Sequence, residues 1–434
     1  MKVYFDMVGC RLNQAEIEKM SLEFRQAGHE IVGQAENADL VVVNTCSVTT
    51  QAASDSRQKI RRYGQGEGKE VVVTGCWSTI EPAAASGIKN VIKVVPNQEK
   101  DHLVRQVLQQ KNIPLQDLFE SEPLERGHLP GLRQRTRAFI KVQDGCDNRC
   151  TFCITRIARG QGVSRPAKEV ISEINAAAEG GSNEVVLTGV HLGSWGQDLP
   201  SRSHLGDLLK LILANTSIPR IRLSSLEPWD LDGEFFTLWE NKRLCQHLHL
   251  PLQAGSDATL RRMLRNTNTA NFRSLVQQAR QTIPNLSITT DLIAGFPGES
   301  ETEFTETLAF VEEMAFSGGH VFTYSERAGT PAARIRDQVP HHIRKERNGA
   351  LQKVIKKSAN DFVISQIGQV GQVLWEASQV RTEKGWRMSG LTSNYIRVFT
   401  HTPQHLWNQI DQVRLCHHIE DGAEGVILPQ EGVN

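Results

Sequence analysis

Apolar positions along the chain alternate between short continuous runs and helical stripes, and together they predict an α/β protein. Residues 2–8 read as a strand, and residues 13–27 follow with Ala15, Ile17, Met20, Leu22 and Phe24 at helical spacing. Gly28 then stands where a helix C-cap belongs. Residues 40–43 and 71–73 are unbroken apolar runs, the pattern of parallel strands covered on both faces. With residues 99–110 as a closing helix, residues 1–118 are predicted to form an N-terminal open, mostly parallel α/β domain.

A second alternation begins after residues 119–137. That stretch holds Pro, Gly and charges, including Arg133, Arg135 and Arg137, and reads as a linker or a lead-in strand. Strand candidates are residues 138–142, 184–187, 220–223, 247–251, 286–291 and 319–324, separated by helical patterns such as 167–179 and 300–314. About six β–α units over residues 132–365 imply a partial or complete parallel barrel. Residues 343–364 read as one long helix with a basic face. Beyond Gly368 the runs shorten, and 370–376, 385–389, 395–399 and 411–416 predict a small antiparallel β-barrel over residues 366–434.

Composition narrows the function classes. Lys plus Arg and Asp plus Glu balance at 49 each, so no global field attracts a polyanion, and nucleic-acid contact must come from local patches. A 39% hydrophobic and 23% charged chain is ordinary for a soluble protein. The first residues lack a basic segment leading into an apolar run, and no stretch approaches the ~20 apolar residues of a membrane span. A cytoplasmic location is expected. In a reducing compartment, eight cysteines (10, 46, 76, 146, 150, 153, 245 and 416) point to metal or catalysis rather than disulfides.

Cys146, Cys150 and Cys153 form a C-x3-C-x2-C run just after a predicted strand. Three thiolates on one loop can hold three corners of a cubane iron–sulfur cluster and leave the fourth iron open. Zinc is the rival, but a structural zinc wants four protein ligands and no fourth Cys or His lies nearby. Cys10, Cys46 and Cys76 are far apart in sequence, yet each follows an apolar strand. The carboxyl ends of parallel strands share one edge, so these cysteines can converge on one metal centre. Gly9 and Gly75 would permit a tight turn or close backbone approach there. Three buried strand-end cysteines without metal remain the other reading.

The central run, with Phe152 just before its last cysteine, resembles the radical S-adenosylmethionine superfamily. That resemblance implies an open iron that binds the amino and carboxylate groups of S-adenosylmethionine. It also implies reductive cleavage to a 5′-deoxyadenosyl radical that abstracts hydrogen. Taken together, the two cysteine sets resemble the methylthiotransferase family over nearly the whole chain. The matching stretches are residues 9–14, 44–46, 74–76, 145–153, 223–228, 249–253, 291–299 and 324–330.

What the resemblance implies is a radical core between an N-terminal three-cysteine domain and a TRAM-like β-barrel. The cofactors would be two 4Fe-4S clusters and S-adenosylmethionine, with Cys10, Cys46, Cys76, Cys146, Cys150 and Cys153 as metal ligands. The N-terminal open iron would hold the sulfur destined for substrate. One S-adenosylmethionine would supply its methyl group, and a second the radical that activates an adenine C–H bond.

The family's branches act on threonylcarbamoyl-adenosine in tRNA, on isopentenyladenosine in tRNA, or on a ribosomal-protein aspartate. Arg11-Leu12-Asn13-Gln14 after Cys10, and Ser47 to Thr50 with residues 55–62 beyond Cys46, look most like the threonylcarbamoyl branch. The implied reaction is methylthiolation of C2 of N6-threonylcarbamoyladenosine next to the anticodon. The implied partners are a tRNA anticodon stem-loop and a low-potential donor such as a flavodoxin or ferredoxin. Residues 155–160 and 264–268 depart from the usual family pattern without removing a cluster ligand, and the departures bear on substrate contacts. A non-catalytic iron–sulfur electron carrier or RNA-binding scaffold is the alternative from another class.

Smaller features carry two readings each. Thr188 and Gly189 end the second barrel strand, where the superfamily holds the methionyl amino group; a plain strand-ending turn reads equally well. Asp291, Gly295 and Pro297 suit approach by an adenine or ribose, or form an ordinary loop. Glu227 and Gln253 sit near strand ends on the functional face, as cofactor contacts or as scaffold. His247 and His249 read as barrel-lining, and Cys245 and Cys416 as buried small hydrophobes. Eight Lys or Arg within residues 332–366 would contact RNA phosphates or form a solvated helix face. From Gly368 onward five basic residues face seven acidic ones, so RNA contacts there would fall to Trp386, Asn394, Tyr395 or the four histidines.

Overall fold

The computed structural model describes residues 1–66, 68–109, 136–378 and 380–429. Five strands, β1 (Lys2–Met7), β2 (Glu30–Ile31), β3 (Leu40–Thr45), β4 (Glu70–Gly75) and β5 (Val91–Val95), build the first sheet. Their order is β2-β1-β3-β4-β5, and every pair is parallel. The period of two decides which core each side chain joins. Leu40 and Val42 pack with Ile17, Met20 and Phe24 on one face. Val41 and Val43 pack with Ile60, Val73 and Trp77 on the other.

The second unit carries β6 (Arg137–Lys141), a short antiparallel pair β7 (Gln143–Asp144) and β8 (Val163–Ser164), then β9 (Glu184–Thr188) and β10 (Arg220–Leu223). It continues through β11 (His247–His249), β12 (Ser287–Ala294) and β13 (Gly318–Thr323). Two parallel sheets, β10-β9-β6 and β11-β12-β13, are joined by parallel bridges from Ile221 to Leu244 and Ser225 to His249. Among the described residues β6 and β13 do not pair, so the barrel is partial and open along one side. Ile221, Leu223, Leu248, Ile288 and Leu292 enter the core beneath the helices. Strand alternation therefore turns Arg222, His247, His249, Thr289 and Asp291 into the lumen.

A helix at His341–Ser365 leads to the third unit, made of β14 (Val370–Trp375), β15 (Arg381–Thr382), β16 (Gly385–Thr392), β17 (Arg397–Thr402), β18 (Ile410–Ile419) and β19 (Gly422–Ile427). Pairing of β14 with β16 closes five strands into a barrel. No helix among the described residues is long and apolar enough to cross a membrane.

Some expectations need correction. β19 was not anticipated, since Gly422 and Gly425 dilute its apolar pattern, and its pairing with β17 is parallel rather than antiparallel. The closing helix of the first unit is a 3-10 segment, Asn97–His102, followed by Leu103–Leu108. Residue 110 and the linker residues 119–135 lie outside the described residues. Cys416 is half-buried rather than buried; Cys245 is buried as expected.

Candidate functional site

The first cysteine set assembles at the carboxyl edge of the parallel sheet. Register pairs Met7 with Asn44 and Thr45 with Gly75, which levels the ends of β1, β3 and β4. Cys46 is buried and feels the charge of both Cys76 and Cys10. Gly9 adopts φ 127°, and a Cβ there would lie 2.9 Å from Cys46 Cβ and 3.2 Å from its Sγ. Gly75 adopts φ 101°, and a Cβ would strike the Thr45 backbone. Both positions need the freedom of glycine so that the cysteine loops can close on one another.

The second set follows β7. Thr151 N–H donates to Met263 O at 3.0 Å, its hydroxyl to Arg262 O at 2.9 Å, and Ala332 N–H donates to Thr151 O at 2.9 Å. These bonds pin the loop across the barrel mouth. Phe152 meets Phe296 edge-on at 6.5 Å. Arg265 Nη1 approaches Cys150 Sγ at 3.7 Å. The Arg265 guanidinium is held by Glu227 at 3.1 and 2.6 Å, by Pro251 O at 2.6 Å, and over the Trp229 ring. His191 lies within bonding reach of Cys146 and 2.6 Å from Asp230 Oδ2. Burial opposes its charge, but the Asp230 bond and the Cys146 sulfur raise it to about 10.

Arg159 connects the two sets. It ends the short helix Thr155–Arg159 that follows Cys153. It donates to Asp144 Oδ1 at 2.8 Å, Glu16 Oε1 at 2.9 Å and Asn13 Oδ1 at 2.8 Å. Lys100 reaches Glu16 Oε2 at 2.8 Å and Asn44 Oδ1 at 3.2 Å. Burial alone would push the Glu16 carboxyl up, but Arg159 and Lys100 outweigh it and hold it well below the usual carboxylate range. Burial opposes the Arg159 charge, but Glu16 and Asp144 favour it more strongly, and the Cys76 and Cys10 sulfurs add to them. Asn97 Nδ2 lies 3.6 Å from Cys76 Sγ and donates to Ala158 O at 2.8 Å. On the far side, Thr50 bonds Ser325 Oγ at 2.8 Å and Arg327 Nε donates to Val48 O at 3.4 Å. The edge with Cys10, Cys46 and Cys76 thus faces the barrel mouth that carries the other three cysteines.

The residues expected to contact cofactor fall into two groups. Glu227 bonds the arginine that touches Cys150. Gly189 adjoins Gln143, whose Nε2 donates to Gly145 O at 2.9 Å beside Cys146, while Thr188 is bonded to β6 and its continuation through Ile140 O and Val142 N–H. Gln253 is zipped to β12, its N–H donating to Asp291 O at 2.8 Å. Asp291 Oδ2 lies 3.3 Å from His249 Nε2, while its Oδ1 is buried with no partner among the described residues. Gly295 packs against Arg344, and Pro297 O accepts from Arg262 at 3.3 Å. These last two reach the cysteine loop indirectly, through their neighbour Phe296 against Phe152 and, for Pro297, through Arg262, whose carbonyl accepts from Thr151. His247 and His249 each bond Thr289 Oγ1 at 2.9 Å, lining the lumen as expected. A cavity of about 380 Å³ lined by Arg280, Asn285, Glu312, Lys357 and Asp361 contains none of these groups.

Residues 2–96 match the uncharacterized protein family UPF0004, and residues 140–311 match the radical SAM superfamily. The threonylcarbamoyladenosine tRNA methylthiotransferase MtaB of Bacillus subtilis (strain 168) is 34% identical over 95% of this chain and 93% of its own. The chain belongs to the radical S-adenosylmethionine tRNA methylthiotransferases. An MtaB of Thermotoga maritima is 36% identical over 86% of each chain. The tRNA-2-methylthio-N(6)-dimethylallyladenosine synthase of Pseudomonas savastanoi pv. phaseolicola is 32% identical over 86% of this chain and 87% of its own. The fold is shared with the radical S-adenosylmethionine methyltransferase TsrM of Kitasatospora setae, at TM-score 0.58 and 15% identity, over 76% of this chain and 77% of that one.

Methylthiotransferases of this family work with 4Fe-4S iron–sulfur and S-adenosylmethionine, and the donor sets suit such a cofactor. Among the described residues no three His, Cys, Asp or Glu side chains close on a single ion. A cubane holds each thiolate on a separate iron, so its ligands stand farther apart than those of one ion. Burial pushes the Cys46 and Cys150 thiols up to about 11, so the bare thiolates are disfavoured unless iron takes the place of the proton. Buried Arg159, Lys100 and Arg265 would offset the negative charge of the loaded sites. N–H donors to sulfur are among the groups that tune a cluster's potential.

Sequence reasoning missed the arginines that grip both sets. Arg159 and Arg265 lie within residues 155–160 and 264–268, which the sequence marked only as departures from the usual family pattern; a cation shortly after Cys153 was the available signal for Arg159, and Arg265 gave none. Glu16, Lys100 and Asn97 gave no signal, because only the fold brings them to the cysteines. Two expected RNA readers, Asn394 and Tyr395, instead point inward: Asn394 is buried, and Tyr395 stacks on His247 at 4.4 Å.

Proposed function

We propose that this enzyme places a methylthio group on C2 of N6-threonylcarbamoyladenosine beside the anticodon of tRNA, using two 4Fe-4S clusters. Cys146, Cys150 and Cys153 would hold the cluster that cleaves S-adenosylmethionine. Cys10, Cys46 and Cys76 would hold the auxiliary cluster that carries the sulfur. The observation that carries this reading is the Arg159 bridge, which seats one triad against the mouth that bears the other. The threonylcarbamoyl substrate is supported by the MtaB relatives.

When bound, the cofactors supply a carbon-centred radical and a methylated sulfur. The protein's own residues then have definable tasks. Arg265 and His191 bring positive charge to the sulfurs of the central loop. Thr188, Gly189, Glu227, Gln253, Asp291, Gly295 and Pro297 would line the S-adenosylmethionine site, and the unpartnered Asp291 Oδ1 is an acceptor available there. Phe152 and Phe296 pack the loop against the barrel and keep water from its back.

The same proposal includes a division at residues 1–118, 132–365 and 366–434, supported by separate hydrophobic cores. A low-potential flavodoxin or ferredoxin would supply electrons. Mass spectrometry of tRNA nucleosides from a deletion strain tests the reading. Loss of 2-methylthio-N6-threonylcarbamoyladenosine alone supports it. Loss of the methylthio-isopentenyl nucleoside points to that branch, and unchanged nucleosides point to the ribosomal-protein branch.

A further inference from the structure

The turn between β16 and β17 is built into the radical barrel rather than exposed for RNA. Arg222, turned into the lumen, donates from Nη1 to Ser393 O at 3.0 Å and from Nη2 to Thr392 O at 3.1 Å. Arg220 donates to Leu391 O at 3.2 Å, and Gln246 N–H to Ser393 Oγ at 3.1 Å. Asn394 Nδ2 donates to Asn285 O at 3.2 Å and to Gln366 Oε1 at 3.2 Å. Glu184 holds both arginines, at 2.9 Å from Arg220 and 2.8 Å from Arg222. Glu184, Arg220, Gln246 and Asn285 sit at or just before the amino ends of β9, β10, β11 and β12, with Arg222 two residues into β10 and Gln366 just past the long helix. The turn therefore seals the floor of the lumen.

Tyr395 is the tip of this plug. Its backbone adopts φ 70°, a state that a bulky side chain keeps only when its surroundings hold it. Its ring lies parallel to His247, at 10° and 4.4 Å between centroids, with the Arg222 guanidinium 5.0 Å from its centre. Its hydroxyl accepts a hydrogen bond from Arg11 Nη2 at 2.8 Å. Arg11 is the first residue of the helix Arg11–Gln26, and Cys10 is that helix's N-cap. Arg11 thus spans from the Cys10 turn to the sealed floor, and one hydrogen bond joins the C-terminal barrel to the loop of an auxiliary cysteine.

We propose that Tyr395 is a positioning residue which, through Arg11, fixes the Cys10 loop against the barrel, so that the C-terminal barrel braces the auxiliary sulfur site. This rests on Cys10 being an auxiliary-cluster ligand. The bond joins a phenol to a cation, and its loss frees the exposed Cys10 turn while the stacked ring stays in place.

Tyr395→Phe removes the bond and keeps the stack; Arg11→Gln removes it from the other side. In metal-free reduced full-length protein, both variants are expected to show several-fold faster alkylation of Cys10 by iodoacetamide, with Cys46 and Cys76 unchanged. In the reconstituted holoenzyme, methylthio product per 5′-deoxyadenosine is expected to fall about tenfold, the scale of one hydrogen bond to a charged group. Affinity for unmodified tRNA should stay at the wild-type value, and the double variant should be no worse than either single one. An unchanged alkylation rate or an unchanged product ratio overturns the proposal. So does a loss of tRNA affinity by the same factor as product, which makes Tyr395 an RNA contact. A Cys10→Ala protein that keeps its full iron overturns the cluster reading instead, and the alkylation rates still decide whether the brace exists.

Discussion

Cys146, Cys150 and Cys153 share one short loop, whereas Cys10, Cys46 and Cys76 end three different stretches of chain and meet only through a parallel sheet. The local triad is determined by its loop, and the barrel supplies its surroundings through Arg265, Glu227 and His191. The dispersed triad is determined by register. A one-residue slip of β3 against β1 or β4 would turn its side chains to the opposite face and carry Cys46 out of level with the other two. The two triads also differ in what they need from the rest of the molecule. The dispersed one is held by residues of the second unit, Arg159 above all, and of the third unit through Tyr395. Proximity in sequence makes a site robust; assembly from a distance makes it dependent on contacts between units.

The sharpest way to break this comparison is to remove one cysteine from each triad. Cys150→Ala should abolish 5′-deoxyadenosine formation, a loss of at least ~100-fold. Cys46→Ala should still cleave S-adenosylmethionine while yielding no methylthio nucleoside, and each variant should lack roughly one cluster's worth of iron. Equal loss of both products in both variants would refute separate tasks for the two sets.

Next in size is Arg159→Met, which strips the buried Glu16 carboxylate of one of its two cations. Leaving half of such a network costs about 3 kcal/mol or more, read as a shift in urea unfolding. The variant should also lose auxiliary iron before central iron. Loss of central iron first would show that Arg159 serves its own loop rather than the distant triad.

A smaller effect sharpens the local side. Arg265→Gln removes a cation beside Cys150, so the more negative reduced state is destabilised and the midpoint potential of the central cluster falls. The shift should be tens of millivolts, with ~59 mV for each tenfold change in a one-electron equilibrium. Redox titration followed by electron paramagnetic resonance reads it, and the auxiliary signal should stay in place.

The smallest effect concerns the helix that begins beside Cys10. Burial raises Glu23 from an ordinary 4.5 to about 7, despite Lys19 nearby. With the folded value above the unfolded one, its contribution to stability is complete below pH 4.5 and is lost as pH rises through about 7. Glu23→Gln should flatten stability against pH across that window. An unchanged slope in thermal melts would show that the helix is less buried in solution than its packing here implies.

Much of the architecture was legible along the chain, for a physical reason in each case. Residues 40–43 and 71–73 read as buried parallel strands because both faces must be apolar, and β3 and β4 contain them. The helices at Ala167–Glu179 and Glu301–Met314 follow from spacing alone. Less legible was β19, where glycines hide the period of two. The helix with a basic face was only partly a free surface: Arg347 is buried on Glu299, and Lys356 and Lys357 pair with Glu420 and Glu312. Asn394 and Tyr395 looked like surface readers because polarity in a β-turn is the same in sequence whether the turn meets RNA or another part of the chain.

Residue spacing by itself determined the two sets of strands, the long helix and the loop that holds three thiols, since those depend on neighbours along the chain. Family membership was also legible there, because it rests on short stretches around cysteine. Only the tertiary structure decided that Cys10, Cys46 and Cys76 stand level, that Arg159 and Lys100 meet over Glu16, and that Tyr395 reaches Arg11. Those facts depend on strand register and on surfaces brought together across hundreds of residues, and no local pattern encodes a partner that distant.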